Sequence, residues 1–279
     1  DYRSPIRFKK RILKDYVGVG VLFYNDRVPE VGFYQNQVNL VGAYHKALNH
    51  RKNEFLSLGF QWGINQRNIS YENLSFHDEF NGTNGYTLPG RESFPQNNFS
   101  YGDFGVGLNY SYAPDRSFGL YAGAAIHHIL EPQLSFFQFQ ENPDGVADNP
   151  LFRKYTAHLG IKIPIGEYIQ VLPRAMGYVQ GPHMAVNAGS NIRFAIGDVG
   201  GAALHLGTWV RPSRDETRKV RLDAVILMGG IEYQNFLIGM SYDASMGYLG
   251  TVGRRTGAFE LSLAYLGAFQ NETVLCPSF

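Results

Sequence analysis

Large apolar side chains recur at every second position along most of this chain, in blocks of roughly ten residues separated by turn formers. In Leu56-Ser57-Leu58-Gly59-Phe60-Gln61-Trp62-Gly63-Ile64 every even position is large and apolar, and every odd one is small or polar. A period of two belongs to a β-strand with one greasy face, opposite a face that tolerates Gly, Ser and Gln. Val17, Val19, Val21 and Phe23 alternate in this way with Gly18, Gly20 and Leu22. Phe104, Val106, Leu108, Tyr110 and Tyr112 do so with Gly105, Gly107, Asn109 and Ser111. Tyr155, Ala157, Leu159, Ile161 and Ile163 oppose Thr156, His158, Gly160 and Lys162, and Phe259, Leu261, Leu263 and Tyr265 oppose Glu260, Ser262 and Ala264. The pattern predicts about twelve strands, near 16–26, 33–46, 54–66, 99–113, 117–129, 155–165, 168–178, 183–194, 200–211, 219–232, 234–244 and 255–268. The blocks at 168–178 and 219–232 are ambiguous, since Val225 to Met228 is apolar on both faces.

A soluble sandwich alternates too, but a partner sheet must cover its apolar faces. Link lengths point elsewhere. The links after the third and fifth strands are long, 66–98 and 130–154, whereas those after strands four, six, eight and ten are tight: Pro114-Asp115-Arg116, Gly166-Glu167, Gly197-Asp198-Val199-Gly200 and Gln234-Asn235. Short periplasmic turns and longer outer loops are the rule of outer-membrane barrels, and this parity puts both ends of the chain on the periplasmic side. With that topology Tyr44, Tyr110, Tyr112, Phe118, Phe236 and Tyr265 fall on the apolar face near the periplasmic ends. Phe23, Trp62, Phe104, Tyr155, Tyr242 and Phe259 fall on it near the outer ends, giving two interfacial girdles. The expected fold is an all-β, transmembrane antiparallel β-barrel, closed because unpaired edges are costly in lipid. One domain then spans 1–279, with a basic periplasmic segment at 1–14, extracellular loops at 66–98 and 130–154, and a periplasmic tail at 269–279.

Composition removes other classes. A mean hydropathy of −0.22 and the lack of any run near the ~20 apolar residues of a spanning helix exclude a helical membrane protein. A barrel survives that test, because only half of each strand meets lipid. A net charge of +1 gives no global bias toward nucleic acid. The single Cys276 cannot form an internal disulfide; it could serve as a lipid attachment or partner thiol, and a plain tail is the favoured reading. Arg3, Arg7, Lys9, Lys10, Arg11 and Lys14 cluster at the start, where they read as a solvated turn in preference to a dock for an acidic periplasmic partner. Export would require a leader, so a removed leader and further upstream sequence are expected.

Several constellations could carry chemistry. His127 and His158 point inward by parity near the outer mouth, and His128 adjoins them on the opposite face. They could begin a metal site or supply a general base. No Cys and no carboxylate at ligand spacing completes the set, so hydrogen bonding at the inward base of the 130–154 loop is favoured, and neither metal nor cofactor is expected. Ser135, His128 and Glu131 lie close in sequence without a nucleophile elbow, which leaves a barrel hydrolase as a minor reading. Inward Lys162, Arg193, Arg211, Asp243 and Glu260 make a charged lumen, either a selective pore or ordinary lumenal ion pairing. The long loops carry exposed aromatics: Tyr71, Phe76, Phe80, Tyr86 and Phe94 in the first, and Phe136, Phe137 and Phe139 in the second. Aromatic loops of this length suit a protein-contact surface or a plug.

Gly119-Leu120-Tyr121-Ala122-Gly123 leading to His127-His128, then Pro132 and Ser135-Phe136, resembles the central block of the PorP/SprF family. Arg153 to Gly160 continues that block, including Arg153 and His158. Val19 to Asp26, Ile238 to Asp243 and Phe259 to Leu263 extend the resemblance in order over nearly the whole chain. These are outer-membrane proteins of the type IX secretion and gliding machinery. The family's N-terminal Asn-Pro-Ala-like stretch and Arg-x-Gln-Trp strand are absent, so the resemblance implies an upstream part and a native barrel of about fourteen strands. It implies a role, not a reaction: binding a secreted adhesin's C-terminal domain at the surface, and contacting a periplasmic lipoprotein or peptidoglycan-binding component. The expected protein is a non-enzymatic, multi-pass outer-membrane component surrounded by lipid. A passive or gated channel is the alternative.

Overall fold

The computed structural model describes residues 15–29, 32–49, 53–71, 79–83, 85, 94–114, 118–136, 149–196, 201–214, 219–246 and 257–265. Among them lie twelve strands: β1 (Tyr16–Val28), β2 (Phe33–Ala47), β3 (Glu54–Ile69), β4 (Asn98–Tyr112), β5 (Gly119–His127), β6 (Lys154–Ile165), β7 (Ile169–Gln180), β8 (His183–Ala195), β9 (Ala203–Arg214), β10 (Val220–Tyr233), β11 (Phe236–Ser245) and β12 (Ala258–Tyr265). They form one antiparallel sheet in strict chain order, and the described residues leave β1 and β12 as its two edges. No described helix is long and apolar enough to cross a membrane. The basic cluster at 1–14 and Cys276 lie outside the described residues.

The two-residue period sets the register. Val21, Leu40, Trp62 and Phe104 lie in one lateral row across β1–β4, and Phe60, Val106, Ile126, Tyr155 and Val179 in another across β3–β7. Among the described residues little covers these rows: Val21 is 70% exposed, Phe60 54% and Trp62 47%. A face this apolar and this uncovered fits the lipid side of a barrel wall and no soluble sandwich. The opposite face holds the buried polar residues Asn39, Ser57, Asn65, Asp103, Ser111, Asn191 and His205.

That inner face is concave. Strands two apart are separated by about 9.5 Å in a flat sheet, yet side chains bridge that gap at three places. His158 on β6 lies 3.0 Å from Asn109 on β4, Arg193 on β8 holds Glu232 on β10 at 2.8 Å, and Arg211 on β9 holds Asp243 on β11 at 2.7 Å. Small residues let the bridges pass. A Cβ at Gly123 would strike both His158 and Asn109, and Ala224, paired to Arg211, is fully buried. Aromatic rings likewise occupy the space beside cross-strand glycines, Tyr121 at Gly160 and Trp209 at Gly189, which fills the wall where a side chain is missing.

Long and short links segregate less strictly than expected. The links at 70–97, 128–153 and 246–257 all follow odd-numbered strands, defining a long-loop end. The links at 48–53, 113–118, 166–168, 196–202 and 234–235 define a short-turn end. Three short connections, 29–32, 181–182 and 215–219, also sit at the long-loop end, and Gly32 and Gly181 take positive φ in the first two.

Candidate functional site

Two regions of the inner face concentrate polar and aromatic side chains. The first is the long-loop end around β3–β6. Inner-facing Phe99, at the start of β4, is only 3% exposed because Phe136 from the 128–153 link packs edge-on against it at 4.9 Å. The described start of that link, 128–136, therefore lies over the inner face. His128 begins the turn with φ of 58°, and Glu131 follows at 44°. The Ile129 amide donates to the Phe104 carbonyl at 3.0 Å, which ties the turn to β4.

This reversal corrects the parity reading of His128. Strict alternation sends its ring to the apolar face; the left-handed backbone sends it inward, where Nδ1 meets the Asp103 carboxylate at 2.9 Å. The carboxylate is nearly buried and also accepts the Phe104 amide at 2.9 Å. His127 Nε2 lies 3.2 Å from Thr156 Oγ1, and His158 faces Asn109. The three histidines thus take three separate partners. Among the described residues no group of three or more His, Cys, Asp or Glu could hold a metal ion.

The remaining sequence-predicted residues shape the loop bases. Tyr71 stacks on Phe94 at 4.6 Å, closing the neck of the 70–97 link, and burial pushes the Tyr71 phenol up. The Pro132 carbonyl accepts the Leu151 amide at 2.9 Å beside the Gln133–Pro150 bridge, so the two arms of the second link pair like a short ladder. Ser135 is half-buried between Leu134 and Phe136. Arg153 meets Glu131 at 3.3 Å, both well exposed, a contact of little energetic weight. Phe80 is exposed. Phe76, Tyr86, Phe137 and Phe139 lie outside the described residues.

The second region is the inner wall of β8–β12. Glu232 takes Arg193 through two hydrogen bonds, 2.8 and 2.9 Å, and His205 through a third at 2.8 Å. Arg211 joins Asp223 and Asp243 at 2.8 and 2.7 Å, and Trp209 donates to Asn191 at 2.9 Å. Asn187, Trp209, Arg211, Asp243 and Glu260 line an open cleft there. Sequence reading found Arg193, Arg211, Asp243 and Glu260 but missed Glu232, His205 and Asp223. Glu232 was within reach of parity once β10 is in register, whereas Asp223 enters through a β-bulge between Leu222 and Ala224 that alternation cannot foresee.

A wall of strands with an exposed apolar face and a polar concave face narrows the possible families to membrane barrels. The chain matches the family described as type IX secretion system membrane protein PorP/SprF over residues 3–265. It belongs to the PorP/SprF family. The PorP/SprF match covers all twelve strands and the three long links, so the whole described sheet is family scaffold. No curated protein matches the chain.

Proposed function

We propose that this PorP/SprF chain is a non-enzymatic, multi-pass outer-membrane protein whose long loops bind the C-terminal domain of a secreted adhesin and so help to secrete or anchor it. Its short-turn end would contact periplasmic machinery, such as a lipoprotein or peptidoglycan-binding component. The observation that carries this reading is the aromatic platform at the long-loop end. Phe99–Phe136 and Tyr71–Phe94 fasten the necks of two long links side by side on β3–β6. Large aromatics held by a rigid wall are what protein contact surfaces use. Deletion of residues 72–93 and 137–148 removes the loop tips and spares the paired necks. The expected result is loss of the adhesin from the cell surface with the barrel still showing heat-modifiable mobility on gels. Full adhesin retention in the double deletion would sink the reading.

The charged inner wall favours a second reading, a passive or gated channel. Conductance of the purified protein in planar bilayers separates the two, since an anchor with a plugged lumen conducts little.

A further inference from the structure

We propose that Arg67 is the anchor of a carboxylate-binding site at the long-loop end, and that it takes an acidic side chain of the polypeptide partner. The inference rests on the adhesin-binding reading only for who that partner is. Arg67 lies two residues below the end of β3, on the inner face, paired across the sheet with Gln35 and Phe99. Its guanidinium sits over the Tyr101 ring at 5.7 Å, which fixes the orientation of the fork. Its Nε is buried without a hydrogen-bond partner.

Arg193 and Arg211 of the inner wall show what that atom does where a carboxylate lies within reach. Nε of Arg193 holds Glu232 at 2.8 Å, with Nη2 completing a two-pronged contact at 2.9 Å, and Nε of Arg211 holds Asp223 at 2.8 Å. Arg67 presents the same edge to no carboxylate within ion-pair distance among the described residues. Asp103, the inner carboxylate of the adjoining strand, pairs with Gly63 further down the wall and is engaged by His128. A buried guanidinium donor left unmet is unfavourable, and its planar fork is matched best by a carboxylate. The nearly buried Phe99 beside it limits competing water. A carboxylate carried on a polypeptide would bring methylenes against the half-buried Tyr101 ring, which a small inorganic anion cannot do.

The test uses the purified full chain in detergent micelles and two blocked peptides, Gly-Glu-Phe-Glu-Gly and Gly-Gln-Phe-Gln-Gly. The Glu peptide should bind roughly ten-fold more tightly than the Gln peptide. Arg67→Gln should erase the difference, Arg67→Lys should retain only part of it, and Arg174→Gln should leave it whole. If Arg67→Gln fails to fold, the Arg67→Lys comparison carries the result. Equal binding of the two peptides, or a preference that survives Arg67→Gln, overturns the site. Displacement of the Glu peptide by acetate or phosphate at matching concentration makes it a small-anion site and overturns the assignment to a polypeptide. Peptide discrimination intact alongside adhesin retention unaffected by loop deletion would remove the adhesin reading and leave the Arg67 site standing.

Discussion

At the scale of single residues, the inner wall of β8–β12 is held by a few paired charges. Glu232 satisfies both Arg193 and His205, so neutralising it strands a guanidinium in a half-buried site. Glu232→Gln should lower stability by about 1–3 kcal/mol in guanidinium titrations of the detergent-solubilised protein. The double variant with Arg193→Gln should cost less than the two singles summed, because the stranded charge is gone. Gly189 is the other sensitive point: a Cβ there would meet the Thr208 carbonyl and the Trp209 ring. In a Trp62→Phe background, Gly189→Ala should push Trp209 toward solvent and shift its fluorescence to the red; unchanged emission would contradict the stacking. Such residue pairs are the least legible part of the sequence. Parity assigns Arg193 and Arg211 to the inner face, but which carboxylate each reaches depends on curvature across an intervening strand. His128 shows the sharper limit, since one residue of positive φ reverses the face that alternation assigns.

At the scale of elements, strands with one lipid face and one polar face are readable, and strands that depart from this are not. β3 is clear because Leu58, Phe60, Trp62 and Ile64 stand outward and Gly63 and Asn65 are buried inward. β7 is unclear in sequence because Leu172 and Met176 share the inner face with Arg174, through their pairings with Asn191, Asn187 and Gly189. β10 blurs for the same reason: Ile226 and Met228 point inward opposite Trp209 and Gly207. The distinction between faces predicts an asymmetric response to charge. Phe60→Arg should destabilise the protein by about 2–4 kcal/mol in lipid bilayers. Gln61→Arg, one residue on and facing inward, should change stability far less in the same unfolding experiment. Equal effects would mean that the exposed rows are not the lipid face.

At the scale of the whole molecule, orientation follows from where the long links gather. In a Cys276→Ser background, a cysteine at Pro182 in the outer turn should react with a membrane-impermeant maleimide on intact cells, and one at Glu167 in the opposite turn should react only after the outer membrane is opened. The reverse pattern would invert the topology. Strand number and antiparallel order were visible in the sequence because each strand pairs only with its neighbours in the chain. The short connections at 29–32 and 181–182 were visible as well, as the gaps left between predicted strands; only the segregation of long from short links was expected too strictly, since the parity rule limits the length of turns on one side only. That nearest-neighbour order also governs how the wall is built. Each hairpin can close before the next emerges, and the contacts are local in sequence, which favours rapid, stepwise zippering. Loop-closure entropy adds roughly 1 kcal/mol when the 70–97 link is compared with the 48–53 link, so the β3–β4 junction is a natural pause. The Tyr71–Phe94 stack at the neck of that link shortens the loop to be closed. One aromatic pair would then hasten assembly of the wall as well as frame its mouth.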